Sequence, residues 1–443
     1  MADLPIARHN PGAPFGHRNG KLAGIGEFLA DVAHLATLLP DRRHVVNLCA
    51  DRYQFAVGFA AALLRAQVSL MPPNHTADLI ARLVRDYPDV YGLSDGAAQP
   101  GLEIVRCPPP LESRALPAVI PAVPEERTAA IVFTSGSTGD PLPHPKSWGG
   151  LVASAMAEIE RLGIQMLPGM AILGTVPPQH MYGLESTVVM ALQGGLILHA
   201  GRPFFPADVC AELEALPRPR GLVTTPVHLR AVLAEGTGLP RVDFLLSATA
   251  PLSPQLAAEA EARFAAPLHE IYGCTEAGQL ATRRTTETPE WQLYPRFAMR
   301  QDEKGTWVKG GHARTEFLLS DVIELLDGDR FLLHGRTADV VNIAGKRTSL
   351  AALNYHLNSI GGVRDGAFFL PEDDDGEVAR LIAFVVAPGL SHDTVMAALR
   401  QRIDPAFLPR PLCIVDSLPR NATGKLPRVS LDTLATRLTA KAG

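Results

Sequence analysis

The stretch FTSGSTGDPLPHPKSW runs from Phe133 to Trp148. Thr134, Ser135, Ser137 and Thr138 alternate with Gly136 and Gly139, and a lysine arrives only at Lys146. The apolar run AAIVF, Ala129–Phe133, precedes this loop, and a helix-like pattern from about Gly149 to Leu162 follows it. Such a loop, at the carboxyl end of a buried strand, is placed where α/β sheets bind ligands. Glycines let backbone N–H groups converge on an anion, and hydroxyls add donors, so a phosphate cradle is expected over 134–139. It is not a Walker loop, because GxxxxGK[ST] is absent from the chain.

The pattern around the loop has one rhythm. VVNLC (45–49), VSLM (68–71) and VYGLS (90–94) read as strands, with helix-like YQFAVGFAAALLRA and ADLIARLVRDY between them. AILGTV, LILHA, GLVTT and FLLSA are further buried-strand candidates. PADVCAELEAL and SPQLAAEAEARF read as helices among them. Strands alternating with helices predict βαβ units on parallel sheets. From Trp291 to His334 the pattern turns antiparallel, with Asp327-Gly328 as a hairpin turn. A smaller α+β segment follows Arg336. The Pro-rich stretch 100–128 reads as a surface connection, and the acidic run at 372–377 as a solvated turn without calcium-loop spacing.

Composition narrows the classes. With 443 residues, two or three domains are expected. Hydrophobic residues make up 47% and charged ones 20%, and the net charge of −5 argues against nucleic-acid binding. The segment 395–443 holds eight Lys and Arg against three Asp, a net +5, which leaves −10 on the remainder. Five cysteines without a CxxC pair argue against a zinc site or a disulfide framework and suggest reduced thiols in a cytoplasm. The N-terminus has no secretory apolar region, and the longest apolar stretch, Phe55–Leu70, is broken by Arg65 and Gln67, so no membrane span is expected.

FTSGSTGDP resembles the phosphate loop of the adenylate-forming superfamily of acyl-CoA synthetases, aryl-acid ligases, adenylation domains and luciferases. The rest of the chain supplies further similar motifs in order: HMYGLE at 180–185, SATAPLS at 247–253, IYGCTEAG at 271–278, LSD ending at Asp321, GRTADVVNIAGKR at 335–347 and LPRNATGKLPR at 418–428. The resemblance implies an α/β domain over 1–335 with a β-rich subdomain, and a small mobile α+β domain over 336–443. It implies an ATP-dependent ligase that makes an acyl-AMP and passes the acyl group to CoA or an acyl carrier protein.

Residue by residue, the resemblance gives Lys425 the bridging of carboxylate and α-phosphate. Thr275 donates to that phosphate, and Glu276 holds Mg²⁺. Tyr272 lies on adenine, beside Thr249, Ala250 and Pro251. Asp321 and Arg336 hold the ribose, and Arg347 lies in the hinge motif. His180, Met181, Gly183 and Gly273 line the acyl pocket. Leu142 stands where the family carries a lysine, with Lys146 as a candidate replacement for contacting ATP. Ala338 stands at the hinge position, which usually holds Asp or Lys. These departures are most similar to short synthetases of aryl-polyene and xanthomonadin-type pathways, implying an aryl or related acid. Two alternatives stand beside this reading. One is a nucleotide-binding homologue without catalysis. The other is an α/β-hydrolase using Ser94 of GLSDG (92–96), although no helix pattern follows that serine.

Overall fold

The computed structural model of the chain describes residues 2–439, except 11, 97–98, 110–116, 118, 136–140, 236–237, 314, 337–338, 344–345, 372–379 and 421–425. At Thr134, Ser135, Pro141, Arg336, Arg347 and Thr439 the description is confined to the backbone.

Two sheets organise the first three-quarters of the chain. One has six strands, in the order 141–147, 128–135, 68–71, 44–47, 91–94, 104–106. Apart from the first of these, neighbouring strands run parallel. The second sheet has eleven strands. Its parallel part joins 14–18, 197–199, 171–174, 220–224, 244–247 and 268–274. Beyond 268–274 it continues antiparallel through 278–283, 291–293, 330–336 and 321–325.

Strand alternation decides which side chain meets which layer. Val45, Tyr91 and Ala130 of the first sheet share one core with Ile172, Leu198 and Leu246 of the second. Helices Ile25–Leu38, Arg52–Leu64 and Trp148–Arg161 fill the space between them. The opposite faces are covered separately. Val46, Val68 and Leu70 pack on helix Ala77–Asp86, whereas Leu173, Leu222 and Leu245 pack on helices Pro206–Ala215, Pro226–Ala234 and Pro254–Phe264. The result is five layers, helices alternating with sheets. Strands Val68–Met71 and Phe244–Ser247, apolar but for Ser69 and Ser247, are explained by burial on both faces.

Residues 341–412 build an apolar core of their own, from Val341, Leu353, Phe368, Val385, Leu399 and Leu412 among others. This segment meets the large-sheet part through Ser349 Oγ, which donates to the His334 carbonyl, and through Asp365, which accepts from Arg420 (2.8 Å) and lies 3.7 Å from Arg230 on helix Pro226–Ala234.

The helix expected from about Gly149 to Leu162 is present as Trp148–Arg161, but a strand that the sequence reading did not foresee separates it from the glycine-rich loop. Pro141–Ser147 returns as a strand antiparallel to Thr128–Ser135, with Lys146 opposite Ala130. Three prolines within seven residues hide this strand, which the sheet tolerates because it is an edge. The hydrolase alternative also lacks its geometry. Ser94 is buried, and the next regular element among the described residues is the short strand Ile104–Arg106 rather than a helix.

Arg52 is fully buried in the shared helical layer. Its guanidinium donates to the carbonyls of Gly174 and Val176 (2.7 Å each) and to Thr187 Oγ (2.9 Å). It thereby ties the end of strand Ala171–Gly174 to the helix that follows. Arg52→Met keeps the stem and removes the donors; it is expected to lower the unfolding free energy by roughly 2–4 kcal/mol, because charged hydrogen bonds are lost and buried carbonyls are left unpaired. Denaturant melts of the two proteins check this.

Candidate active site

The carboxyl ends of the parallel strands of the large sheet carry three of the motif segments. Strand Ala171–Gly174 leads to the His180 segment, Phe244–Ser247 to Thr249, and Leu268–Cys274 to Thr275. This is the edge at which open α/β sheets place ligands.

His180 caps a short helical turn; the N–H of Tyr182 donates to its Nδ1 (3.3 Å). Met181 is buried, and Gly183 has no room for a side chain: a Cβ there would lie 2.0 Å from the carbonyl oxygen of Pro177. A π-helical segment, Leu184–Val189, follows. Such segments recur at functional sites because they shift the helical register. Thr249 holds a left-handed backbone (φ 79°) that a β-branched residue adopts at a cost of about 1–2 kcal/mol. Ala250 is half-buried and Pro251 exposed. Gly273 sits in a β-bulge, with a hypothetical Cβ 2.4 Å from the Gly278 carbonyl.

Tyr272 is packed against Trp291 and Phe331, and its hydroxyl donates to Asp321 Oδ2 (2.7 Å). Asp321 pairs in register with Arg336 across the neighbouring strand. Tyr272 and Asp321, 49 positions apart, are thus joined directly. Thr275 is half-buried and Glu276 exposed. Gly136, Ser137, Thr138, Gly139, Ala338 and Lys425 lie outside the described residues, as do the side chains of Thr134, Ser135, Arg336 and Arg347. Leu142 is 56% exposed.

Lys146 is placed otherwise than a loop lysine would be. It lies at the base of the hairpin, is 8% exposed, and its ammonium donates to the carbonyls of Thr275 (2.5 Å) and Glu276 (2.8 Å). Burial lowers its pKa, which Glu185, Cys274 and Glu276 oppose. Behind it lies a polar network the sequence reading did not single out. Glu185 accepts from Ser154 Oγ (2.7 Å), and burial raises its pKa to about 7. Glu158, fully buried, accepts from Gln279 Nε2 (3.1 Å), which also reaches Ser186 Oγ (2.8 Å). The Tyr294 hydroxyl donates to Gln279 Oε1 (3.1 Å). Burial, with Glu185 nearby, raises the Glu158 pKa to about 8. The one available signal for this network was an acid inside each of two apolar helical runs, at positions 158 and 185.

The model of the AMP-binding enzyme family matches residues 42–298, more than half of the chain. The chain belongs to that family, and the class of protein is an adenylate-forming ligase. Among relatives, it is 28% identical over 283 residues to a 4-coumarate–CoA ligase of Rhodobacter capsulatus, covering 64% of this chain and 70% of that one. It is 23% identical over 359 residues to a D-alanine–D-alanyl carrier protein ligase of Lacticaseibacillus rhamnosus, covering 68% and 70%. Its fold is similar to that of an o-succinylbenzoate CoA synthetase from Bacillus subtilis, solved with an acyl-adenylate intermediate. The TM-score is 0.81 at 17% identity, over 97% of this chain and 98% of the other. No helix among the described residues is long and apolar enough to cross a membrane.

The buried acid gives a pH prediction. Glu158 keeps its proton in the folded chain up to about pH 8, whereas an ordinary glutamate loses it near 4.5. Folding therefore takes up a proton between these values, and this group makes stability fall as pH rises through that window. Glu158→Gln removes the effect. Its melting temperature relative to the wild type is expected to rise between pH 5 and pH 8; a constant difference across that range would count against a protonated Glu158.

Proposed function

We propose that this chain activates an aryl or related carboxylic acid with ATP and transfers the acyl group to a phosphopantetheine thiol of CoA or an acyl carrier protein. In the first half-reaction a carboxylate oxygen attacks the α-phosphorus, the bond to the bridging oxygen breaks, and pyrophosphate leaves. In the second a thiolate attacks the acyl carbon and AMP leaves. The observation that carries the reading is the Tyr272–Asp321 hydrogen bond beside the Thr275–Glu276 turn. It brings the residues proposed for adenine, ribose, phosphate and metal onto one sheet edge.

The chemical difficulty is that two anions must meet, so cations and fixed dipoles must offset the repulsion. Tyr272, with Thr249, Ala250 and Pro251, holds the adenine. Asp321 accepts from the ribose hydroxyls, with Arg336 alongside. The glycine-rich loop, Thr134 to Gly139, supplies donors to the phosphates. Thr275 donates to the α-phosphate, and His180, Met181, Gly183 and Gly273 shape the acyl pocket.

Glu276 fits Mg²⁺, which binds through one or two carboxylates together with substrate phosphates rather than in an all-protein cage. When bound, Mg²⁺ would neutralise phosphate charge. We place the domain division at about 336, with 336–443 swinging to present Lys425 in the first step and the hinge segment, with Arg347, in the second. We place the chain in a reducing cytoplasm, as five cysteines without a CxxC pair suggest. One observation favours the non-catalytic alternative: Leu142 is exposed where a lysine is usual, and Lys146 is bound to carbonyls. ATP–pyrophosphate exchange in the presence of aryl, 3-hydroxy and fatty acids separates the two readings, since a binding-only protein exchanges nothing.

Lys425→Ala is expected to slow adenylation by about 10²–10³-fold, the scale for one preorganised donor, while transfer from supplied acyl-AMP survives. Equal loss in both half-reactions would argue against this role.

The basic C-terminal segment bears on the acceptor. Arg400, Arg402 and Arg410 are exposed within the segment of net +5, opposite in sign to the remainder. A carrier protein presents many acidic charges and CoA only its phosphates. Reversing all three arginines is therefore expected to raise the KM for carrier protein steeply at low salt and that for CoA less. The effect should fade near 0.15 M salt, where screening acts over about 8 Å. Unchanged transfer to both thiols at low ionic strength would exclude a docking role for this surface.

A further inference from the structure

The segment 275–279 is held from below at both ends. At its start the Lys146 ammonium binds the carbonyls of Thr275 and Glu276. At its end the buried carboxylate of Glu185 lies against Gly278 and the backbone N–H of Gln279. Gly278 permits that approach: its φ is 96°, and a Cβ there would lie 2.6 Å from Glu185 Oε1. Lys146 and Glu185 attract each other across the same space, and Ser154 fixes the Glu185 carboxyl through its Oε1 (2.7 Å).

We propose that Lys146 and Glu185 form a buried clamp that positions the Thr275 and Glu276 side chains for phosphate and Mg²⁺, with no contact of their own to ATP. The clamp rests on the function proposed above. Two features separate it from a simple phosphate lysine. The donors of Lys146 point to main-chain carbonyls, and Lys146 lies five residues from Pro141, where the hairpin strand leaves the loop. That is about 16 Å of strand at 3.3 Å per residue. Two features also separate it from a packing ion pair. A buried pair is weak evidence for stability, because desolvation offsets its attraction. Here, moreover, both Lys146 donor bonds go to backbone carbonyls of one turn, and Glu185, held by Ser154, lies against the other end of that turn. The carbonyls of a turn set the direction of the side chains between them. An ammonium bound to two successive carbonyls therefore fixes both Thr275 and Glu276, and a misplacement on the order of 1 Å costs about 10²-fold in rate.

The test uses the full chain with Lys146→Met, Lys146→Arg and the double variant Lys146→Met/Glu185→Gln. The double variant avoids leaving a buried carboxylate without its cation. The first readout is hydrogen–deuterium exchange of amides 275–279 in the unliganded protein, expected to be faster in the Met single and double variants and closer to wild type in Lys146→Arg. The second is pyrophosphate exchange. In the Met variants kcat is expected to fall by about 10- to 100-fold with the KM for ATP within about twofold, and the Mg²⁺ concentration for half-maximal rate to rise. A raised KM for ATP at unchanged kcat would make Lys146 a direct phosphate ligand and overturn the clamp. Unchanged amide exchange would also overturn it, leaving Lys146 and Glu185 as packing. If the wild type exchanges no pyrophosphate with any acid, the proposed function fails, and the amide-exchange comparison still decides the clamp.

Discussion

Lys146 joins the two sheets at the place where their chemistry has to meet. It belongs to the hairpin of the six-stranded sheet, yet its donors end on the strand-to-turn junction of the eleven-stranded sheet. Burying an ammonium to this degree is expensive unless each donor finds an acceptor. The carbonyls of Thr275 and Glu276 and the field of Glu185 supply that compensation. The neighbouring elements conform to this requirement. Gly278 gives way to Glu185, Gln279 links Glu158 to Ser186, and Tyr294 closes the network from the antiparallel part of the sheet.

The surrounding architecture explains how such a polar cluster is affordable. A single helical layer lies between the sheets, and its apolar core admits only scattered buried polar side chains such as Asp31, Gln54 and Ser154. Arg52 is another charged side chain buried in that layer, and it too donates to backbone carbonyls at a strand end. In both cases a buried cation replaces the helix or ladder partner that a loop carbonyl lacks. The loops at the carboxyl edge are therefore fixed by side chains rooted in the core rather than by their own hydrogen bonding. Thr249 shows the same economy in reverse: a strained backbone persists where the surroundings determine it.

Sequence alone determined much of this protein. Largely apolar runs such as VSLM and FLLS read correctly as strands because both faces of each sheet are buried, and Asp327-Gly328 gave its hairpin because few other pairs fit that turn. The order of the motifs was enough for the family. Tertiary structure alone decided the rest. The edge strand Pro141–Ser147 has a proline pattern that local rules read as loop, and only its partner Thr128–Ser135 makes it a strand. The same strand decides what Lys146 does, because a lysine's role follows from which acceptors it meets, and those lie 129 and 130 positions away. Glu158 and Glu185 are ordinary acids in sequence. Their raised pKa values come from burial by elements distant along the chain, a long-range property that no local pattern of residues encodes.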